Sequence, residues 1–157
     1  MGEHGIQYDV AFDFEGALRA ARTAWTAAGT LDDAMSKRMG VARTARAGWQ
    51  GTYGDQFEDR VNGEAYSTND LSTDLRNYAL MCAASWASAM NEQNRRLWGR
   101  EGQRRRDQAN GGNLLERGWH HVEHLWGGEQ LDLPPRPGEV TAPTPPGFAA
   151  TGSFVRY

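Results

Sequence analysis

The sequence holds one close group of potential metal ligands, His120-His121-Val122-Glu123-His124. On a helix, His120 and His124 fall at i and i+4 on one face, a spacing that can hold a zinc ion. The metalloprotease pattern also needs Glu directly after the first His, and His121 stands there instead. No Cys or Asp is spaced nearby to complete a ligand set, so a solvated or partner-facing helix face is preferred and no metal or other cofactor is expected. The chain has no Gly-rich phosphate loop, no Ser elbow and no distinctive pair of carboxylates. Asp32-Asp33 reads as first-turn helix capping. A non-enzymatic protein is expected.

A second constellation is basic: Arg95, Arg96, Arg100, Arg104, Arg105 and Arg106, with Glu101 and Asp107 beside them. A basic helical end can bind phosphates. Cations near a helix C-terminus are equally favoured by the helix dipole, and no aromatics interleave as stacking platforms. The formal net charge of −3 gives no overall attraction to nucleic acid or an anionic membrane. An acidic patch on a protein partner fits the cluster better, and a helical nucleic-acid-associated protein using Arg95–Arg106 is the alternative.

These groups need scaffolding, and composition says which kind. Of the 157 residues, 39% are hydrophobic, enough for a modest core, and many of them are Ala. Val and Ile are scarce, which argues against extensive β-structure. The fold class is all-α. The single Cys82 sits in an apolar helical run and packs as a small hydrophobe. No apolar run approaches membrane-spanning length. Met1-Gly2-Glu3-His4-Gly5 lacks a basic region leading into an apolar stretch, so an ordinary cleavable signal is not expected.

Tyr8, Val10, Phe12 and Phe14 alternate with polar residues and read as an extended lead-in. From Phe14 the period lengthens. Phe14, Leu18, Ala21, Trp25, Ala28, Leu31, Met35, Met39, Ala42, Ala45 and Trp49 form one stripe, predicting helix over 14–46. Thr30 with Asp33 three residues on has the form of a capping box, which would split that helix into two collinear pieces. After a glycine-flanked turn the pattern resumes at Phe57 and Val61, giving a short helix over 52–62. It weakens through Asn62-Gly63 and Ser67-Thr68-Asn69, then returns with Leu71, Leu75, Tyr78, Cys82, Trp86, Met90 and Leu97 as a helix over 71–108.

Beyond Asn110-Gly111-Gly112 the composition changes. Leu114, Leu115, Trp119, Val122, Leu125 and Trp126 predict a short amphipathic helix. All 6 prolines follow it, in a tail that cannot be helical and favours extended conformations. The organisation is therefore a hairpin domain over 1–110 and a helix plus Pro-rich tail over 111–157.

Between the long helical stripes stands Gly48-Trp49-Gln50-Gly51-Thr52-Tyr53-Gly54-Asp55-Gln56-Phe57. Trp49-Gln50-Gly51 at the bend, with Phe57 six residues past Gly51 and Leu71 and Leu75 further on, resembles the WXG family of ESAT-like type VII secretion substrates and partners. The resemblance covers roughly residues 10–108. It implies an antiparallel helical hairpin that pairs with a second hairpin, a copy of itself or another helical protein, into a four-helix bundle. It further implies a secreted or export-associated interaction module that leaves the cell without an ordinary signal peptide. One feature departs from the family pattern: no Tyr-x-x-x-Asp/Glu signal follows the second helix, and Tyr66-Ser67-Thr68-Asn69-Asp70 comes too early. The partner would then supply the signal, or this chain is not itself a substrate.

Trp49, Gly51 and Phe57 are the expected anchors of the turn. With Trp49 filling the notch between helices, Trp49→Ala should cost on the order of 3 kcal/mol. Trp25, Trp49 and Trp86 lie on inner stripes. Trp86, Met90, Trp98, Trp119 and Trp126 are candidates for partner binding, since large aromatics dominate binding anchors.

Overall fold

The computed structural model describes residues 6–110 and 133–157. Among these residues the regular structure is two helices and no strand: α1, Phe14–Ala47, and α2, Thr52–Asn110. They form a helical hairpin, as the all-α expectation requires. The expected short helix around Trp119 and Trp126 lies outside the described residues.

α1 starts where its stripe begins because Asp13 caps it, its carboxylate accepting from the Gly16 amide at 2.8 Å. The Thr30–Asp33 capping box does not form. Thr30 sits mid-helix and its hydroxyl donates back to the Thr26 carbonyl at 3.0 Å, a bond that lets the helix run on unbroken.

α2 is also continuous, 59 residues without the break expected over Asn62–Asn69. Packing overrides weak helix propensity there. Val61 and Ser72 are buried on the same face, and the Ser72 hydroxyl turns toward the Ala28 carbonyl across the seam at 3.4 Å. Small side chains serve this face as well as large ones would, so the helix has no reason to stop.

The described chain divides into two compact units. The hairpin unit comprises Asp13–Ala87 with Thr141–Thr151. Its helices are antiparallel, since partners on α2 move backwards as those on α1 move forwards: Ala28 with Ser72, Arg38 with Glu64, Arg46 with Asp55 and Glu58. Its core is built from Ala21, Ala24, Ala79 and Ala83, closed over by Phe148, with Trp25, Leu75 and Cys82 packed against it. Alanine lets two helix backbones approach closely. Phe148, from the proline-rich segment, is wholly buried; the sequence marked it only as part of a tail.

The second unit joins the described parts of Met1–Phe12, Ser88–Val140 and Gly152–Tyr157. Here α2 serves as a post for two extended segments, each tied by a row of polar side chains at i, i+3 and i+7. Gln93, Arg96 and Arg100 hold the lead-in: Gln93 accepts from the Val10 amide at 2.6 Å, Arg96 donates to the Tyr8 carbonyl at 3.0 Å and Arg100 bonds Asp9 at 2.5 Å. Asn91, Asn94 and Trp98 hold the C-terminal residues. Asn91 exchanges two hydrogen bonds with the Val140 backbone, at 2.9 and 2.8 Å. Asn94 accepts from the Val155 amide and donates to the Ser153 carbonyl, and the Trp98 indole donates to the Pro134 carbonyl at 2.8 Å. Extended segments carry backbone groups that need partners, and the amides and guanidiniums of α2 provide them.

Candidate interaction surfaces

The turn between the helices is held by charge as much as by an aromatic. Gly51 takes φ +77°, a conformation that glycine accepts without a steric penalty. Gly54 is buried against the Arg46 guanidinium and the Trp49 carbonyl, where an added Cβ would meet them at 2.9 and 3.2 Å. Arg46 bonds that Trp49 carbonyl and pairs with Asp55 at 2.8 Å and Glu58 at 3.3 Å. Trp49 itself is 50% exposed, its ring edge-on to Phe57 at 5.2 Å between centroids. It therefore does not fill a notch in the core. Arg46 ties the turn through these bonds, and the cost expected for Trp49→Ala falls accordingly.

The other tryptophans divide differently from the sequence expectation. Trp86 and Met90, offered above as partner contacts, are buried, with only 2% and 4% of their surfaces exposed; the chain itself covers them. Trp98 is partly buried, its indole bonded to Pro134 and its ring faced by the Arg136 guanidinium at 5.5 Å. It holds the chain's own C-terminal segment. Trp119, Trp126, His120 and His124 lie outside the described residues. Among the described residues no group of three or more His, Cys, Asp or Glu is placed to hold a metal ion, and no helix is long and apolar enough to cross a membrane.

The arginine cluster is extensively paired. Arg95 and Arg96 both engage Glu92, Arg104 and Arg105 both engage Glu101, and Arg100 engages Asp9, at 2.5 to 2.9 Å. Glu92 and Asp9 were not part of the cluster as read from the sequence. With carboxylates already bonded to most of these guanidiniums, the cluster offers phosphate much less than six free charges would.

Those carboxylates make acid the sensitive condition. Arg95 and then Arg96 pull the Glu92 carboxyl from its ordinary 4.5 to about 2, and Arg104 and then Arg105 do the same for Glu101. A depressed folded-state pKa stabilises the fold above the unfolded value near 4.5 and loses that contribution as pH falls toward 2. Urea unfolding of the protein and of a Glu92→Gln/Glu101→Gln variant should differ most above pH 4.5, the native protein being more stable. The two curves should converge toward pH 2. A constant difference across that range would show that the ion pairs contribute nothing through their charge.

The hairpin has two flanks, fixed by the 100° step of the helix. On α1, Arg22 and Trp25 fall to one side of the buried Ala21–Ala28 line, and Ala20 and Ala27 to the other. The first flank is covered: Phe148 stands edge-on to Trp25 at 5.8 Å, and Arg22 donates to the Phe148 carbonyl at 3.4 Å. The second is an open, shallow groove lined by Gly16, Arg19, Ala20, Thr23, Ala24 and Ala27 of α1 with Leu75 and Tyr78 of α2. Leu71, Leu75 and Tyr78 make one stripe of α2, at i, i+4 and i+7, of which Leu75 and Tyr78 line the groove. Leu71 and Tyr78 are about half exposed, at 51% and 53%.

Comparison with protein-family models, with curated proteins and with solved structures finds no match. The groove is thus to be judged by its own chemistry. Its lining is mainly small and apolar, with Arg19 and the Tyr78 hydroxyl as its ionisable groups, which suits the face of an amphipathic helix better than a small polar ligand.

Proposed function

We propose that this chain is a non-enzymatic interaction module whose hairpin packs its open flank against a second helical hairpin, giving a four-helix bundle. One observation carries the proposal: the hairpin buries alanines in its seam and leaves larger apolar residues at its surface. Ala21 and Ala79 are wholly buried, while Leu71, Tyr78 and Met81 are half exposed or more. Large side chains stabilise most when buried, and a stripe at i, i+4 and i+7 beside an alanine groove is the geometry into which another helix fits.

The resemblance of Trp49-Gln50-Gly51 and Phe57 to WXG proteins supports the same partner class and favours another helical protein over a second copy. It also supports export by a signal-peptide-independent route. Tyr66 and Asp70 lie in the interior of α2, so the missing Tyr-x-x-x-Asp/Glu signal would come from the partner.

Light scattering at micromolar concentration, on the chain alone and with helical-hairpin proteins encoded beside it, tests this. A complex of two hairpins is expected, with Tyr78→Glu weakening it by more than about tenfold while helicity is unchanged, as for a central interface aromatic. A folded monomer that joins none of these partners, or a complex indifferent to Tyr78→Glu, would overturn the proposal.

A further inference from the structure

The covered flank of the hairpin differs in kind from the rest of the core. Thr141–Thr151 contains no helix or strand, and the only backbone–backbone hydrogen bond it shows is internal, Phe148 amide to Thr144 carbonyl at 3.0 Å. It also closes on itself, the Thr151 hydroxyl donating to the Thr141 carbonyl at 2.5 Å. It is therefore a small preformed loop. Pro143 and Phe148 are buried while Thr141, Ala142, Thr144, Ala149, Ala150 and Thr151 are exposed. Phe148 is the loop's knob, and its φ of +42° is one that a bulky L-residue adopts only under constraint.

The surface that receives it is complementary. Trp25 offers an edge-on ring, itself faced by the Arg76 guanidinium at 5.8 Å. Ala21, Ala24, Ala79 and Ala83 form an apolar floor, and Arg22 donates to the knob's carbonyl at 3.4 Å. An aromatic side chain with a free carbonyl on its own residue satisfies every one of these contacts. None of them depends on the rest of the hairpin's covalent connection to the loop.

We propose that this flank is a binding site for an aromatic residue carried on a proline-containing extended peptide, and that Thr141–Thr151 is its built-in, displaceable ligand. Segments with few buried contacts and exposed neighbours open more readily than the helices they cover. Opening uncovers the alanine seam and Trp25, so a partner that presents an aromatic knob competes with Phe148 for one place. The proposal concerns the flank opposite the open groove and does not rest on the four-helix assembly.

The probes are a fluorescent peptide spanning residues 141–151 and the same peptide with Ala for Phe148, added to the full-length chain and to its Phe148→Ala variant. The variant is expected to bind the native peptide at least about tenfold more tightly than the full-length native chain does, because an occupied site lowers apparent affinity by its open fraction. It should ignore the Ala peptide. A variant that keeps its helicity yet binds neither peptide, or both alike, would overturn the proposal. Native-state hydrogen exchange on the unmodified chain gives a second readout that needs no substitution. The Phe148 amide should exchange at least about a hundredfold faster than those of Ala79 and Ala83, as for local opening. Equal protection would make the loop an integral part of the core and would also overturn it, including where Phe148→Ala does not fold.

Discussion

Trp86→Ala should destabilise the protein by about 4 kcal/mol, the cost of emptying a site that a buried indole fills. Trp86 is only 2% exposed, so almost none of the cavity would open to solvent. The same substitution at Trp49 should cost below about 1 kcal/mol, since Trp49 is half exposed and its defined partner is the Phe57 ring. Thermal unfolding would separate the two, with a fall on the order of 10 °C for Trp86→Ala and very little for Trp49→Ala. A large loss at Trp49, or a small one at Trp86, would mean that Trp49 and not Trp86 belongs to the core. A milder fall for Trp86→Ala on adding a helical partner would show that binding stabilises the native state by mass action.

The difference between these tryptophans marks how far the sequence was legible. Both lie on helical stripes and both are large, and periodicity treats them alike. What separates them is Arg46. Its guanidinium bonds the Trp49 carbonyl and pairs with Asp55 and Glu58, closing the turn from the polar side. Nothing in the spacing of apolar residues reports that. The existence and start of α1 were legible, because its stripe is regular and Asp13 stands where a cap is needed. The unbroken course of α2 was not, because the buried face near its middle uses Ser72 where a hydrophobic pattern demands a larger residue.

The open flank was partly legible. Leu71, Leu75 and Tyr78 were read as one stripe of α2, and Leu75 and Tyr78 do line the groove together with Ala20 and Ala27 of α1. The anchoring of the C-terminal segment was hidden for another reason. Its ties are Asn91, Asn94 and Trp98 bonding to backbone, and such bonds need no particular residue on the segment itself. Phe148 was equally hidden, one aromatic among Gly, Pro and Ala with no period to mark it.

Enlarging the seam should be as damaging as emptying the core. Ala79 is wholly buried between α1 and α2, and it belongs to a cluster whose other helix residues, Ala21, Ala24 and Ala83, are no larger. Ala79→Leu adds three carbons where the backbones meet, and neither helix can yield without parting the seam over several residues. Overpacking of this kind costs about 3 kcal/mol at a rigid contact, although leucine is the more hydrophobic side chain and nearly as good a helix former. Ala84→Leu provides the control, because Ala84 is exposed on the same helix, and its effect should stay within about 0.5 kcal/mol. Urea unfolding of the two variants measures both. A stable Ala79→Leu protein would mean that the helices are spaced by something other than their alanines. The groove beside Tyr78, which depends on that close approach, would then lose its shape as the reason for receiving a helix.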